Sequence, residues 1–191
     1  MKIKKTLSIA IVVICILLTA CNRGGNASVV TVQNGVLSMA TNATFPPYEY
    51  YRQEKIVGID VEIAEEIAKE LGLKLEVQDM DFGSIITSIQ TGKNDIGVAA
   101  LTVTKERGKN ISFSTSYATS VQVIIVPNNS KIESKDDLKG VLIGCQEGTT
   151  GFIYCLKDYG RDNVIAYTDG ATAINAVTLG KVDCVVIDEQ P

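Results

Sequence analysis

The side chains that most often carry chemistry are missing from this sequence or stand apart in it. Its 191 residues include no histidine, which removes the commonest general base and the middle member of the usual nucleophile triads. Asp79 and Asp81 form a close acidic pair, but carboxylates in loops are far more often solvated than catalytic. No glycine fingerprint of the phosphate-cradling kind follows a strand. Three cysteines, Cys145, Cys155 and Cys184, lie beyond the N-terminal region without Cys-x-x-Cys spacing, so no zinc or other metal site is expected. Cys184 sits in the apolar run Val182-Asp183-Cys184-Val185-Val186-Ile187 and reads as a buried small hydrophobe. Spacing does not decide whether Cys145 and Cys155 are bridged, and an odd count leaves at least one thiol free. With no catalytic constellation and no cofactor motif, the residues favour a binder over an enzyme.

The elements that would position a binding site alternate. Residues 36–40 read as a first strand. After the Pro46-Pro47 turn comes a helix for which Asp60 is the expected N-cap, with Ile63, Ala64, Ile67, Ala68 and Leu71 on one apolar face, Glu62, Glu65 and Glu66 near its start, and Gly72 at its end. A strand at 73–77, a helix at 82–90 stopped by Gly92 and a strand at 96–100 follow. The β-branched run 117–126 leaves this unit. A second series then begins: strand 141–144, helix near 151–159, strand 164–167, helix 171–179 and strand 182–187. Strands alternating with helices give parallel sheets. Two such α/β units in tandem leave a cleft between them, where small ligands bind.

Lys2, Lys4 and Lys5 precede an apolar run at residues 7–18, followed by Leu18-Thr19-Ala20-Cys21. Twelve residues fall short of the roughly 20 that a membrane-crossing helix needs, so residues 1–20 read as a signal peptide. The ending resembles a bacterial lipobox, which implies cleavage before Cys21 and acylation of its thiol. The membrane is then reached through an N-terminal lipid anchor, and residues 21–35, rich in Asn and Gly, form a flexible tether. Losing residues 1–20 removes three lysines and no acids, moving the net charge from −4 to −7. Such a surface argues against nucleic acid as a partner.

Several strings carry a family resemblance. Ala40-Thr41-Asn42-Ala43-Thr44-Phe45-Pro46-Pro47-Tyr48-Glu49-Tyr50, Gly58-Ile59-Asp60-Val61-Glu62 and Met80-Asp81-Phe82 resemble the first-lobe signatures of the polar amino-acid receptors of ABC importers, the family-3 extracellular solute-binding proteins. Asp95-Ile96-Gly97 through Thr102-Val103-Thr104-Lys105-Glu106-Arg107 resembles their cleft lining, and Gly148-Thr149-Thr150-Gly151 and Val182 to Asp188 resemble second-lobe counterparts. The resemblance covers residues 36–191 in order and spacing. It implies a two-lobed, periplasmic-binding-protein-like (type II) α/β fold, each lobe a mainly parallel sheet flanked by helices. Residues 36–120 would form lobe one and 121–191 an incomplete lobe two. It further implies a monomer with a free amino acid as ligand and ABC permease subunits as partners.

Site residues follow from the same resemblance. Arg107 matches the fork that clamps the ligand carboxylate. Thr102 adds its hydroxyl and N–H, and Thr150 its backbone N–H from across the cleft. Asp188 and the carbonyl of Ala100 take the ammonium group. Phe45 and Phe82 sandwich the ligand side chain, and Ala99, Gln146 and Thr149 complete the lining. Asn42 stands near the ligand side chain where an acid would favour a cation, so an uncharged polar amino acid is expected. Asp60 is expected as a cap only, and Gly148 and Gly151 as loop residues. Taken singly, Arg107 would read as a solvated charge, the two phenylalanines as core, and Asp188 as the cap of a following helix.

Members of the family usually continue beyond the position of Asp188, returning to lobe one with a strand and closing helices. If Pro191 ends the whole translated product, a sheet edge and some core are expected to stay uncovered and melting to be poorly cooperative. The same fold serves cyclohexadienyl dehydratases, a regulatory module of lytic transglycosylases and sensory receptors. The missing histidine and the lack of a further catalytic domain argue against the first two. The residues leave transport against sensing open.

Overall fold

β1 (Val36–Thr41) is buried along nearly its whole length, because both of its faces are covered. It pairs in parallel with β5 (Lys74–Asp79) on one side and with β6 (Ile96–Gly97) on the other. This first sheet therefore runs β5-β1-β6, and β1 reads as the near-continuous apolar run typical of a parallel strand. The computed structural model in which these pairings are seen describes residues 29–189. The expected leader, Cys21 and the head of the tether lie outside the described residues.

One face of the first sheet is packed by α1 (Ile59–Glu70), whose Val61 and Ala64 meet Met39, Leu75, Val77 and Ile96. The other carries α2 (Ile85–Gln90), entered through a 3-10 turn at Phe82–Ser84, with Ile85 against Ala40 and Ala99. A small antiparallel sheet of β2 (Thr44–Phe45), β3 (Glu49–Arg52) and β4 (Lys55–Val57) lies between β1 and α1 in sequence.

α1 departs from its sequence reading. Its cap position is Gly58, with no side-chain cap bond, and Asp60 lies inside the helix, fully buried. Gly58 has φ +132, and a Cβ there would stand 2.2 Å from the carbonyl oxygen of Tyr48, so the hairpin backbone crosses too closely for any side chain. The buried stripe is Asp60, Val61, Ala64 and Ala68, while Ile67 and Leu71 are exposed. The helix is turned so that a carboxylate, not an isoleucine, faces inward. The expected strand at 96–100 is also shorter: only Ile96 and Gly97 keep the ladder, and Ala100 bends away at φ +45.

From residue 98 to residue 121 the chain has no strand, only a 3-10 turn at Arg107–Lys109. The β-branched run expected at 117–126 pairs only over β7 (Gln122–Ile125), because Tyr117 is drawn aside to donate its hydroxyl to Asp60 Oδ1 at 2.9 Å. β7 is the antiparallel edge of a second sheet, ordered β7-β10-β8-β9. β8 (Ile143–Gln146), β9 (Val164–Tyr167) and β10 (Cys184–Asp188) are mutually parallel in that order of pairing.

α3 (Thr150–Tyr159) covers one face of this sheet, its Phe152 and Cys155 packing with Ile143, Cys145, Cys184 and Val186. α4 (Gly170–Thr178) covers the other with Ala173, Ala176 and Val177 against Val185 and Ile187. Both helices are capped as their sequences invite. Thr149 accepts from the Phe152 N–H at 3.2 Å and Asp169 from the Thr172 N–H at 2.7 Å, each worth about 1 kcal/mol. Cys145, Cys155 and Cys184 are free thiols in one core. Burial pushes Cys184 up to about 12, so it packs as a small hydrophobe.

The two sheets with their helices are the two lobes of a mainly parallel α/β fold. A groove of about 770 Å3 runs along the free side of β6, bordered by Ile63, Ile67, Ile89, Ile96 and Phe113.

Candidate functional site

Strand ends deliver the site. β1 ends at Thr41, β6 at Gly97, β8 at Gln146 and β10 at Asp188, and the residues at or just after these ends turn toward one another. Asn42, Phe45, Phe82, Ala99, Ala100, Thr102 and Arg107 come from the first half of the chain, and Gln146, Thr149, Thr150 and Asp188 from the second; all line a single cavity. These are the eleven positions expected from the sequence, brought together with a twelfth, Glu49. The cavity is small, about 20 Å3 in volume. The walls are thus drawn close together.

Arg107 is the charged centre. It is 6% exposed, unlike a solvated surface arginine. Its Nη1 donates to the carbonyl of Thr102 at 2.7 Å and its Nη2 to the carbonyl of Gly148 at 2.9 Å, so one guanidinium spans both halves of the site. Its carbon lies 5.5 Å from the centroid of the Phe82 ring, a cation–π arrangement. A guanidinium carries five N–H donors, and these two bonds leave three for a further acceptor. Burial pulls the group below its ordinary value, while Asp188 pulls it back up; the side chain stays cationic.

Asp188 closes β10 as its opposite charge. Gln122 Nε2 donates to its Oδ1 and, at 3.4 Å, to the hydroxyl of Thr150. Burial pushes the Asp188 carboxyl above the usual range, offset in part by a hydrogen bond from Ser120 and by Arg107. Thr150 opens α3 after the Thr149 cap, and N–H groups in a helix's first turn have no acceptor within the helix. An anion held near Arg107 would therefore also meet the positive end of α3.

The cavity wall around Asn42 is polar. Asn42 donates from Nδ2 to the carbonyl of Met80 at 2.9 Å, while its Oδ1 accepts from Gln146 Nε2 at 2.8 Å. Gln146 also donates to the carbonyl of Thr168 at 3.1 Å, making a second bridge between the halves. Thr149 Oγ1 donates to the carbonyl of Gln146 at 2.8 Å. Phe45 stacks on Tyr48 with centroids 6.0 Å apart. Thr102 is exposed at the mouth. Gly148 has φ +79, and a Cβ there would stand 3.0 Å from Cα of Gly83, so its loop lies against the turn that carries Phe82.

Sequence reasoning missed Glu49. It opens β3 and is 1% exposed, with no hydrogen-bond partner for Oε2. The one signal was an acid set among aromatics, Tyr48-Glu49-Tyr50-Tyr51. Asp60, expected only to cap a helix, stands behind it as a buried acceptor for the Ala100 N–H at 2.7 Å and the Tyr117 hydroxyl.

The family described as bacterial extracellular solute-binding proteins, family 3, matches residues 37–143. The arginine-binding extracellular protein ArtP of Bacillus subtilis (strain 168) is 40% identical over 134 residues, covering 69% of this chain and 51% of that protein. The chain thus spans about half the length of that relative. The arginine-bound form of truncated ArgBP from T. maritima has a TM-score of 0.77 at 36% identity, covering 82% of this chain and 74% of that one. An ancestral arginine-binding protein bound to glutamine has a TM-score of 0.76 at 39% identity, covering 82% and 70%.

Proposed function

Since the chain belongs to the bacterial extracellular solute-binding proteins of family 3, we propose that it is the receptor subunit of an amino-acid ABC importer. It binds a free, polar L-amino acid between its lobes and delivers it to membrane permease subunits as a monomer. The observation that carries this reading is a buried cation, Arg107, facing a carboxylate, Asp188, across one narrow cavity. A zwitterion has the matching two poles. Arg107 and the first turn of α3 take its carboxylate, with help from Thr102, and Asp188 and the Ala100 carbonyl take its ammonium group.

Each charge-assisted hydrogen bond contributes about 1.5–3 kcal/mol. Several together exceed the roughly 8 kcal/mol of micromolar binding, leaving a margin for ordering costs. The cavity is too narrow for entry as it stands, so the lobes rotate apart to admit the ligand and close over it. The cross-cleft bonds of Arg107 and Gln146 support a closed form in which the lobes hold each other. Relatives named as arginine-binding, and one bound to glutamine, support a long, polar or cationic ligand side chain.

Residues 1–20 are the leader, Cys21 is the acylated anchor, 21–35 the tether, 36–120 lobe one and 121–191 the second lobe. The protein is exported and held at the outer face of the cell membrane. Isothermal titration against the twenty amino acids tests the site. A binder is expected, and both Arg107→Ala and Asp188→Ala should lose it; if both variants bind like wild type, the site is wrong. Fatty-acid labelling that persists in Cys21→Ala would remove the anchor.

A further inference from the structure

We infer that Glu49 reads the ligand's side chain by exchanging a proton: the cavity takes an uncharged polar side chain with the Glu49 carboxyl protonated, and a guanidinium or ammonium with it ionised. This rests on the amino-acid reading above and says which side chains that site accepts.

The geometry begins with an oxygen that has nothing to bond. Glu49 Oε2 is buried in the cavity wall without a hydrogen-bond partner, an arrangement that is costly unless something else completes it. Among the described residues no cation pairs with it: the two ion pairs are Lys69–Glu66 and Lys109–Glu106, both on the surface. Arg107 shares the cavity but is committed to Thr102, Gly148 and the face of Phe82.

The groups that face Glu49 are acids and phenols. Asp60 comes from α1 and Tyr117 from the segment before β7, with Tyr48 beside Tyr117, while Asp188 lines the same cavity. Asp60 uses both of its oxygens as acceptors, for the Ala100 N–H and the Tyr117 hydroxyl, so neither is placed to donate. Two adjacent buried carboxyls cannot both ionise without a cation. The proton therefore rests on Glu49, which can donate it to Asp60 and keep Oε2 free to accept. Burial first, and Asp60 second, push Glu49 up to about 11.

An amide side chain meets this state directly, giving its N–H to Oε2 with no change of charge. A guanidinium or ammonium brings the missing cation. The carboxyl then ionises, the proton passes to the buffer, and the cavity gains one ion pair while one proton leaves. Asn42, which would otherwise mark the cavity for uncharged ligands, accepts and donates within the wall and does not oppose either state.

The test is calorimetric titration of the 191-residue protein with arginine and with glutamine, at pH 6 and pH 8, in two buffers of different ionisation enthalpy. Arginine should release one proton per molecule bound, and its affinity should rise by about tenfold per pH unit, or about 100-fold across this range. Glutamine should release none and gain little. The ratio of the two affinities should stop changing with pH in Glu49→Gln. Equal proton release for both ligands, or a ratio that still climbs in that variant, overturns the inference while leaving amino-acid binding standing. Failure of every amino acid to bind would instead overturn the proposed function, and this inference with it.

Discussion

Glu49→Gln should change how the ligand-free protein responds to pH, and the size of the change follows from where the carboxyl sits. In the fold it is buried beside Asp60 and raised from 4.5 to about 11. A group raised in this way holds its proton in the folded state after the unfolded chain has released it. Its contribution is fully present below about pH 4.5 and is lost as pH rises toward the folded value. Each pH unit in that window costs the wild type about 1.4 kcal/mol. The amide has no such dependence, so between pH 5.5 and 7.5 the wild type should lose about 2–3 kcal/mol relative to the variant. Urea titrations of both proteins, followed by circular dichroism at three pH values, measure this difference, and all other titrating groups cancel in it. For a domain of this size the same change moves Tm by about 5–10 °C. Parallel stability curves for the two proteins would refute the assignment of a retained proton to Glu49.

Three other outcomes follow from the site and the core. Gln146→Ala removes the side-chain bridge to Asn42 and a bond to the Thr168 carbonyl; ligand affinity should fall by about tenfold, as about 1–2 kcal/mol of closing energy is lost, and solution scattering should show a larger radius with ligand. An unchanged affinity would mean the bridge does not close the cleft. Gly148→Ala forces a side chain into φ +79 and to within 3.0 Å of Gly83, costing about 1–2 kcal/mol. Ligand release should quicken accordingly in stopped-flow traces, and a variant indistinguishable from wild type would contradict the close approach. Cys145, Cys155 and Cys184 should stay unmodified by a thiol reagent in the folded protein and react together on unfolding, since all three are buried in one core.

The second lobe was the more legible half of the fold. Residues 164–167 and the helix near 171–179 stand where periodicity and turn residues put them, because Asp169 caps locally and small residues in α4 leave one obvious packing face. The first lobe hid its logic in long-range partners. Asp60 looks like a cap from its neighbours alone, and only the Ala100 N–H, 40 positions away, and Tyr117 explain why it is buried inside α1. The same pull shortens the strands expected at 96–100 and 117–126. The positions that line the cavity were legible through a resemblance of whole motifs, since Arg107 or Phe82 alone would read as surface or core. Glu49 was not, because its meaning depends on an adjacent acid that sequence spacing does not bring near.

Arg107 should hold the ligand's carboxylate. Calorimetric titration of wild type and Arg107→Ala, each with the amino acid that binds and with its carboxamide, isolates that contact. The wild type should favour the acid over the carboxamide by at least about 100-fold, the worth of roughly 3 kcal/mol of charge-assisted bonding, and Arg107→Ala should bind both equally weakly. The same preference surviving in Arg107→Ala would contradict it.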